Sequence, residues 1–395
     1  MQKSFPEEGK SRRTIGALGF ASFFNDLGAG MIHPVWPLFL TGVLGANMSV
    51  LGFIDGLGEA LVSISQAASG YLSDRLGKRK VFVWLGYAVP ILSRTGYALS
   101  TTWQQIIPFK ILDRAGKIRG APRDAIIADL SSRMNRGTHF GYRKMMDNLG
   151  ALGGILICIL LFHLTGYRIL FLIAALPSVI ATILIVLCIS ESKPERRIHA
   201  GLRLSDLEGD FRRFLILSSL FALGSFSYSF LLIFAKELGF GITSIPALYL
   251  IFTAAASLTS LPLGRLSDRI GRRPLLMFSF LLWGLVCLLF ITTRSHYALI
   301  LGFILYGCHK GALDTVQTTF ASELCPVAFR ASSLGSLRMI VGLCALPASF
   351  IAGLLWDRIN LYAPFYLSLM LTVFSMVLLL FVKDRKSGND ATIMQ

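Results

Sequence analysis

The side chains able to do chemistry in this sequence lie inside long apolar stretches. There an ionised group costs about 2.5–3.5 kcal/mol on insertion scales unless it has a partner, a wet cavity or a function. The first half holds most of them: Asn25 and Asp26, Asp55 and Glu59, Arg94, Asp147, and the run FKILDRAGKIRGAPRDAIIAD at 109–129 with Asp113, Arg114, Lys117, Arg119, Arg123 and Asp124. The second half adds His309, Lys310 and Asp314, with Arg338 beyond. Clustered Arg and Lys can hold an anion by charge-assisted hydrogen bonds, and a buried carboxyl can hold a proton near neutral pH. Asp26 and Glu59 have no obvious local partner and are the candidates for the proton, Asp26 first because Asn25 beside it can supply a hydrogen bond. A purely structural reading stands next to this one. Asp55 would then pair with Arg94, and Asp113, Asp124 and Asp147 would neutralise the nearby cations, which outnumber them. His309 suits a group titrating near neutral pH and equally a packed, hydrogen-bonded ring.

These residues need elements that carry them into an apolar medium. Apolar periodicity and breaker residues predict twelve helices near 14–44, 48–72, 81–100, 103–129, 138–164, 168–190, 212–237, 244–267, 274–293, 297–321, 330–355 and 361–382. The fourth, about 40 Å long at 1.5 Å per residue, places Asp113, Arg114 and Lys117 near its middle. Gly116 and Gly120 offer a face for close helix contact, and Pro122 is expected to bend the helix where Arg123 and Asp124 emerge.

The chain of 395 residues is 54% hydrophobic and 15% charged, against about a quarter charged in soluble domains. It is an all-α integral membrane protein on that basis, with no room for a large soluble domain. The first apolar run lacks a small-residue cleavage site and is read as a retained helix rather than a signal peptide. The net charge of +16 would suit nucleic acid, but its placement argues against that partner. Lys3, Lys10, Arg12 and Arg13 precede the first helix and further basic clusters follow the second, fourth, sixth, eighth and twelfth, whereas the opposite connections hold only Arg168, Lys236, Arg294 and Arg358. Both termini are therefore expected in the cytoplasm, with the lipid bilayer as surroundings. The six cysteines have no C-x-x-C spacing, so neither a disulfide nor a metal site is expected.

GYLSDRLGKRK at 70–80 returns as GRLSDRIGRRP at 264–274, an offset of 194 (268 − 74). The same offset carries Asp129 onto Glu323 and Arg136 onto Arg330. Gly70 and Gly264 would let a helix end approach a neighbour closely, and Gly77 and Gly271 suit a tight turn. A plain basic anchor on the cytoplasmic side would explain one copy; two copies in register need more. The sequence here resembles the major facilitator superfamily, whose loop between helices 2 and 3, repeated between helices 8 and 9, reads G-x-x-x-D-R-x-G-R-[KR]. The resemblance implies twelve helices in two six-helix bundles: residues 1–190 and 212–383, a linker at 191–211 with one short amphipathic helix, and a tail at 384–395. It also implies cytoplasmic gates built by Asp74, Arg75, Arg79, Asp129 and Arg136, and by Asp268, Arg269, Arg273, Glu323 and Arg330. In parallel repeats of this kind the substrate lies between the halves near the midplane.

No Walker A loop, catalytic triad, metal-ligand cluster or cofactor motif is present, so no enzyme activity and no cofactor are expected. The expectation is a monomeric secondary transporter of a small polar, anionic or zwitterionic solute, driven by protons through alternating access. A drug–proton antiporter is the alternative: Gly150, Gly153 and Gly154 faintly resemble the signature of that group, without its proline. The opposing class is a membrane sensor or receptor on a transporter fold.

Overall fold

The computed structural model describes residues 8–131, 135–189, 209–324 and 330–382. All twelve apolar segments are helical, and no strand occurs among the described residues. The first is α1 (Glu8–Ile32), continued by a short helix α2 (Trp36–Leu38) and a π-helical turn over Phe39–Val43. Then come α3 (Met48–Leu76) and α4 (Arg79–Leu99). The fourth segment is not one helix: α5 (Trp103–Ala115), a 3₁₀ turn (Gly116–Arg119) and α6 (Gly120–Asp129) succeed one another. The predicted bend thus lies upstream of Pro122. Gly86 on α4 approaches so closely that a Cβ there would meet the Gly116 carbonyl and the Arg119 Cβ, and the 3₁₀ turn fits that contact.

Segments five and six run on as α7 (Arg136–Cys188), interrupted only at Gly166, whose φ of 67° is not helical. In the second half α8 (Gly209–Gly224) and α9 (Tyr228–Glu237) share one segment, followed by α10 (Ile245–Ile270), α11 (Arg272–Thr292), α12 (His296–Glu323), α13 (Arg330–Arg358) and α14 (Ala363–Leu379). Among the described residues, eight stretches are long and apolar enough to cross a bilayer, α7 at twice the needed length. α4 and the segment of α5 and α6, which carry the buried cations, are not among them.

The chain forms two compact units. One comprises Met1–Ile198 together with Ser229–Leu250, the other His199–Tyr228 with Ile251–Gln395. The first unit therefore includes nearly all of α9 and the start of α10. Its apolar core joins Leu18 and Ala21 of α1, Val83 and Tyr87 of α4, Ile126 and Ile127 of α6, and Ala181 and Ile185 of α7. The second is packed around aromatic rings: Phe221 stacks on Phe280 at 4.1 Å, and Trp283 donates from its indole to Ser368 Oγ at 2.8 Å. Most of the expected amphipathic linker helix lies outside the described residues.

Candidate functional site

Four charged residues on α5 and its 3₁₀ extension face one cavity. Lys110, Asp113, Arg114 and Lys117 recur at helical spacing, so they share a side. α1 supplies Asn25, Ala29, Ile32 and His33, the residues after it supply Trp36, and α4 supplies Pro90, Arg94 and Tyr97; Arg119 completes the lining. The empty space here, open solvent at its mouth included, is about 480 Å³, and every lining residue belongs to the first unit.

Each charged group in this wall is held differently. Asp55, 7% exposed, accepts from the Trp36 indole at 2.9 Å, from Lys110 Nζ at 3.2 Å and from Ser229 Oγ. Lys110 also lies 4.0 Å over the Trp36 ring, a cation–π contact that desolvation strengthens. The expected Asp55–Arg94 pair does not form. Arg94, 2% exposed, donates instead to the Ala174 carbonyl at 2.8 Å, Ser178 Oγ at 2.6 Å and the Asn25 carbonyl at 2.9 Å. It fits because residue 28 is glycine; a Cβ there would strike the guanidinium. Arg119 is likewise spent on backbone, donating to Gly86 O and Gly116 O at 2.8 Å each. Arg114 lies 3.7 Å from Asp113. Lys117 makes no hydrogen bond or close ion pair among the described residues, and the buried Asn25 Oδ1 has no hydrogen-bond partner. The Asn25 amide donates to Asp26 at 2.8 Å.

Toward the end of α6 a second polar cluster forms. Arg123 donates to Ser22 Oγ at 2.7 Å and lies 3.4 Å from Asp124. Arg143 lies 3.0 Å from Asp147 and 3.7 Å from Asp124. The neutralising role weighed for Asp113, Asp124 and Asp147 is thus geometrically present. Glu59 does not share the burial of Asp55 one turn before it; its side chain is exposed. The second-half candidates do not join the cavity. His309, 2% exposed, bonds through Nδ1 to Ser279 and is enclosed by Phe221, Trp283 and Tyr306, the packed-ring alternative. Asp314 is exposed, and Lys310 lies on the same helix of the second unit.

Sequence reasoning missed Lys110, Trp36, His33 and Tyr97. Lys110 was visible as the first member of its own helical stripe; the aromatic residues carried no such mark.

The repeated loops form matching arrangements within their own units. Ser73 bonds Gly70 O and Ser267 bonds Gly264 O, while Gly77 (φ 66°) and Gly271 (φ 100°) turn the chain. A Cβ on Gly70 would touch Ala121 and one on Gly264 would touch Thr315, positions again 194 apart. Arg79 pairs with Asp129. In the second copy Glu323 is engaged not by Arg273, as the offset implied, but by Arg272 at 3.0 Å, which also binds Asp268 at 2.6 Å. The cause is local: Lys78 separates Gly77 from its helix, whereas α11 begins directly after Gly271, so Arg79 and Arg272 are both first helical residues. Arg273 reaches the Leu380 carbonyl at 2.7 Å. Arg75 and Arg269 are exposed, and the side chains of Asp74, Arg136 and Arg330 lie outside the described residues. Gly150 and Gly154 press on the Phe23 and Leu27 carbonyls of α1, so their resemblance to an antiporter signature coincides with close helix packing.

The chain is 35% identical over 394 residues to an uncharacterized MFS-type transporter of Methanocaldococcus jannaschii, covering 97% of this chain and 98% of the relative. Among solved structures, a POT family transporter in complex with 5-aminolevulinic acid superposes with a TM-score of 0.79 at 15% identity, covering 94% of this chain and 95% of that one. The nucleoside transporter NupG gives 0.72 at 18%, covering 93% and 98%. At these identities the structures speak for the fold alone. The model of the Major Facilitator Superfamily matches residues 18–222 and again 213–394, and with the repeated loops, the two units and the near full-length relative this makes the chain a multi-pass membrane transporter belonging to that superfamily.

Proposed function

We propose that this transporter carries a small anionic or zwitterionic solute, coupled to protons, by alternating access in the cell membrane with both termini in the cytoplasm. The observation that carries the reading is the cavity wall of Lys110, Arg114 and Lys117 on successive turns, backed by two further arginines and only one carboxylate in the lining. Such a wall binds an anion through charge-assisted hydrogen bonds. A pocket for amphipathic drugs would be lined mainly by apolar and aromatic groups. The proton is assigned to Asp26, which lies within α1 and accepts from the Asn25 amide at 2.8 Å. The loops with Arg79–Asp129 and Arg272–Glu323 serve as the cytoplasmic gates, together with Asp74, Arg136 and Arg330.

The test is flux in proteoliposomes under an imposed pH gradient. Wild type accumulates or expels its anion against a gradient; Asp26→Asn loses that ability but still exchanges labelled solute across the membrane. An Asp26→Asn variant that concentrates solute at wild-type rates moves the proton to Glu59. If Glu59→Gln is also fully pH-driven, proton coupling is wrong and sodium coupling or uniport replaces it.

A further inference from the structure

The charges around the cavity do not balance, and the imbalance has a definite size. Five cations line it: Arg94, Lys110, Arg114, Lys117 and Arg119. Three carboxylates answer them: Asp113 in the lining, Asp55 bonded to Lys110, and Asp26 bonded to Asn25. The neighbouring cluster supplies no correction, because Arg123 and Arg143 there face Asp124 and Asp147. Two positive charges are left, in a segment of the protein where uncompensated charge is costly. The location of the excess is also marked. Arg94 and Arg119 use their guanidinium groups on backbone and hydroxyl acceptors, Lys110 is taken by Asp55, and Arg114 has Asp113. Among the described residues, Lys117 alone of the five has no close partner, and Asn25 Oδ1 in the same wall is a buried acceptor with nothing donating to it.

Resting on the anion reading above, we infer that the cavity is built for a dianion that also carries a hydroxyl or amine: its two negative charges answer the two excess positive charges of the wall, one of them at Lys117, and the donor faces Asn25 Oδ1. Dicarboxylates and phosphate monoesters share this chemistry. A monoanion leaves one cation uncompensated, and a dianion without a donor leaves the Asn25 oxygen unsatisfied.

The experiment is calorimetric titration of the purified full-length protein in detergent with L-malate, succinate, L-lactate, glycerol 3-phosphate and glycerol, at a pH of about 8 where the phosphate monoester is doubly ionised. Malate or glycerol 3-phosphate should bind about tenfold or more tighter than lactate, and malate tighter than succinate; which of the two dianions wins separates the carboxylate from the phosphate source. Lys117→Met should erase the preference of malate over lactate, and Lys117→Arg should restore it; both variants are checked for an unchanged melting temperature. Asn25→Leu should bring malate down to the level of succinate. Lactate binding as tightly as both dianions overturns the inference while leaving an anion transporter. Binding of glycerol with no preference for any anion overturns the anion reading along with it.

Discussion

At the sequence offset of 194, Asp113 and Lys117 of the first repeat fall on Gly307 and Gly311 of the second. The consequence is visible in the packing of equivalent helices. On α12 a Cβ at Gly311 would meet Thr259 Oγ1 at 2.6 Å and the Ala256 carbonyl at 2.7 Å, and one at Gly307 would strike the Phe252 carbonyl, all on α10. Where the second unit sets glycines against the α10 backbone, the first carries charged side chains that line a cavity. α4 and α11 are equal in length, so Arg94 and Cys287 occupy the same helical position: both are buried, the arginine on three acceptors and the cysteine with one long contact to Ser368 Oγ at 3.7 Å. The two units keep one scaffold and one loop, yet the first is specialised for polar contacts and the second for apolar and aromatic packing.

That contrast predicts a graded set of responses to substitution. The largest belongs to Arg94→Met, which leaves the Ala174 and Asn25 carbonyls and Ser178 without their donor. A loss of about 3 kcal/mol or more is expected, read by chemical unfolding in detergent; a loss below about 1 kcal/mol would mean that water replaces the guanidinium. Next is Gly307→Ala, expected to cost about 1–3 kcal/mol by overpacking α12 against α10. A neutral result there would show that α12 is not close-packed on α10 at that position, and the contrast in packing would fail. The smallest response is Leu288→Ala on the exposed face of α11, expected within about 0.5 kcal/mol in the same measurement. A large effect would show that this exposed face is structural as well.

The fold was legible because twelve apolar runs and an eleven-residue motif repeated at a fixed offset are local signals, independent of tertiary detail. The site was legible in its residues and not in its pairings. Arg94 was visible as a buried cation, but its acceptors are backbone carbonyls on α1 and α7, and every residue has a carbonyl. His309 looked titratable until its ring was found among Phe221, Trp283 and Tyr306, contacts made across three helices. The substitution of Arg272 for Arg273 followed from a single residue between a glycine and a helix start, a difference in backbone that a sequence offset does not register.

Asp55 takes its third hydrogen bond from Ser229, and the first compact unit takes in Ser229–Leu250 with it. During synthesis, then, the first unit cannot be completed when the ribosome passes its own sixth helix. It has to wait, with Asp55 and Lys110 already made, until the chain has grown through the linker and through α9. A gene divided at the linker would give a first half lacking Ser229, the third donor to Asp55.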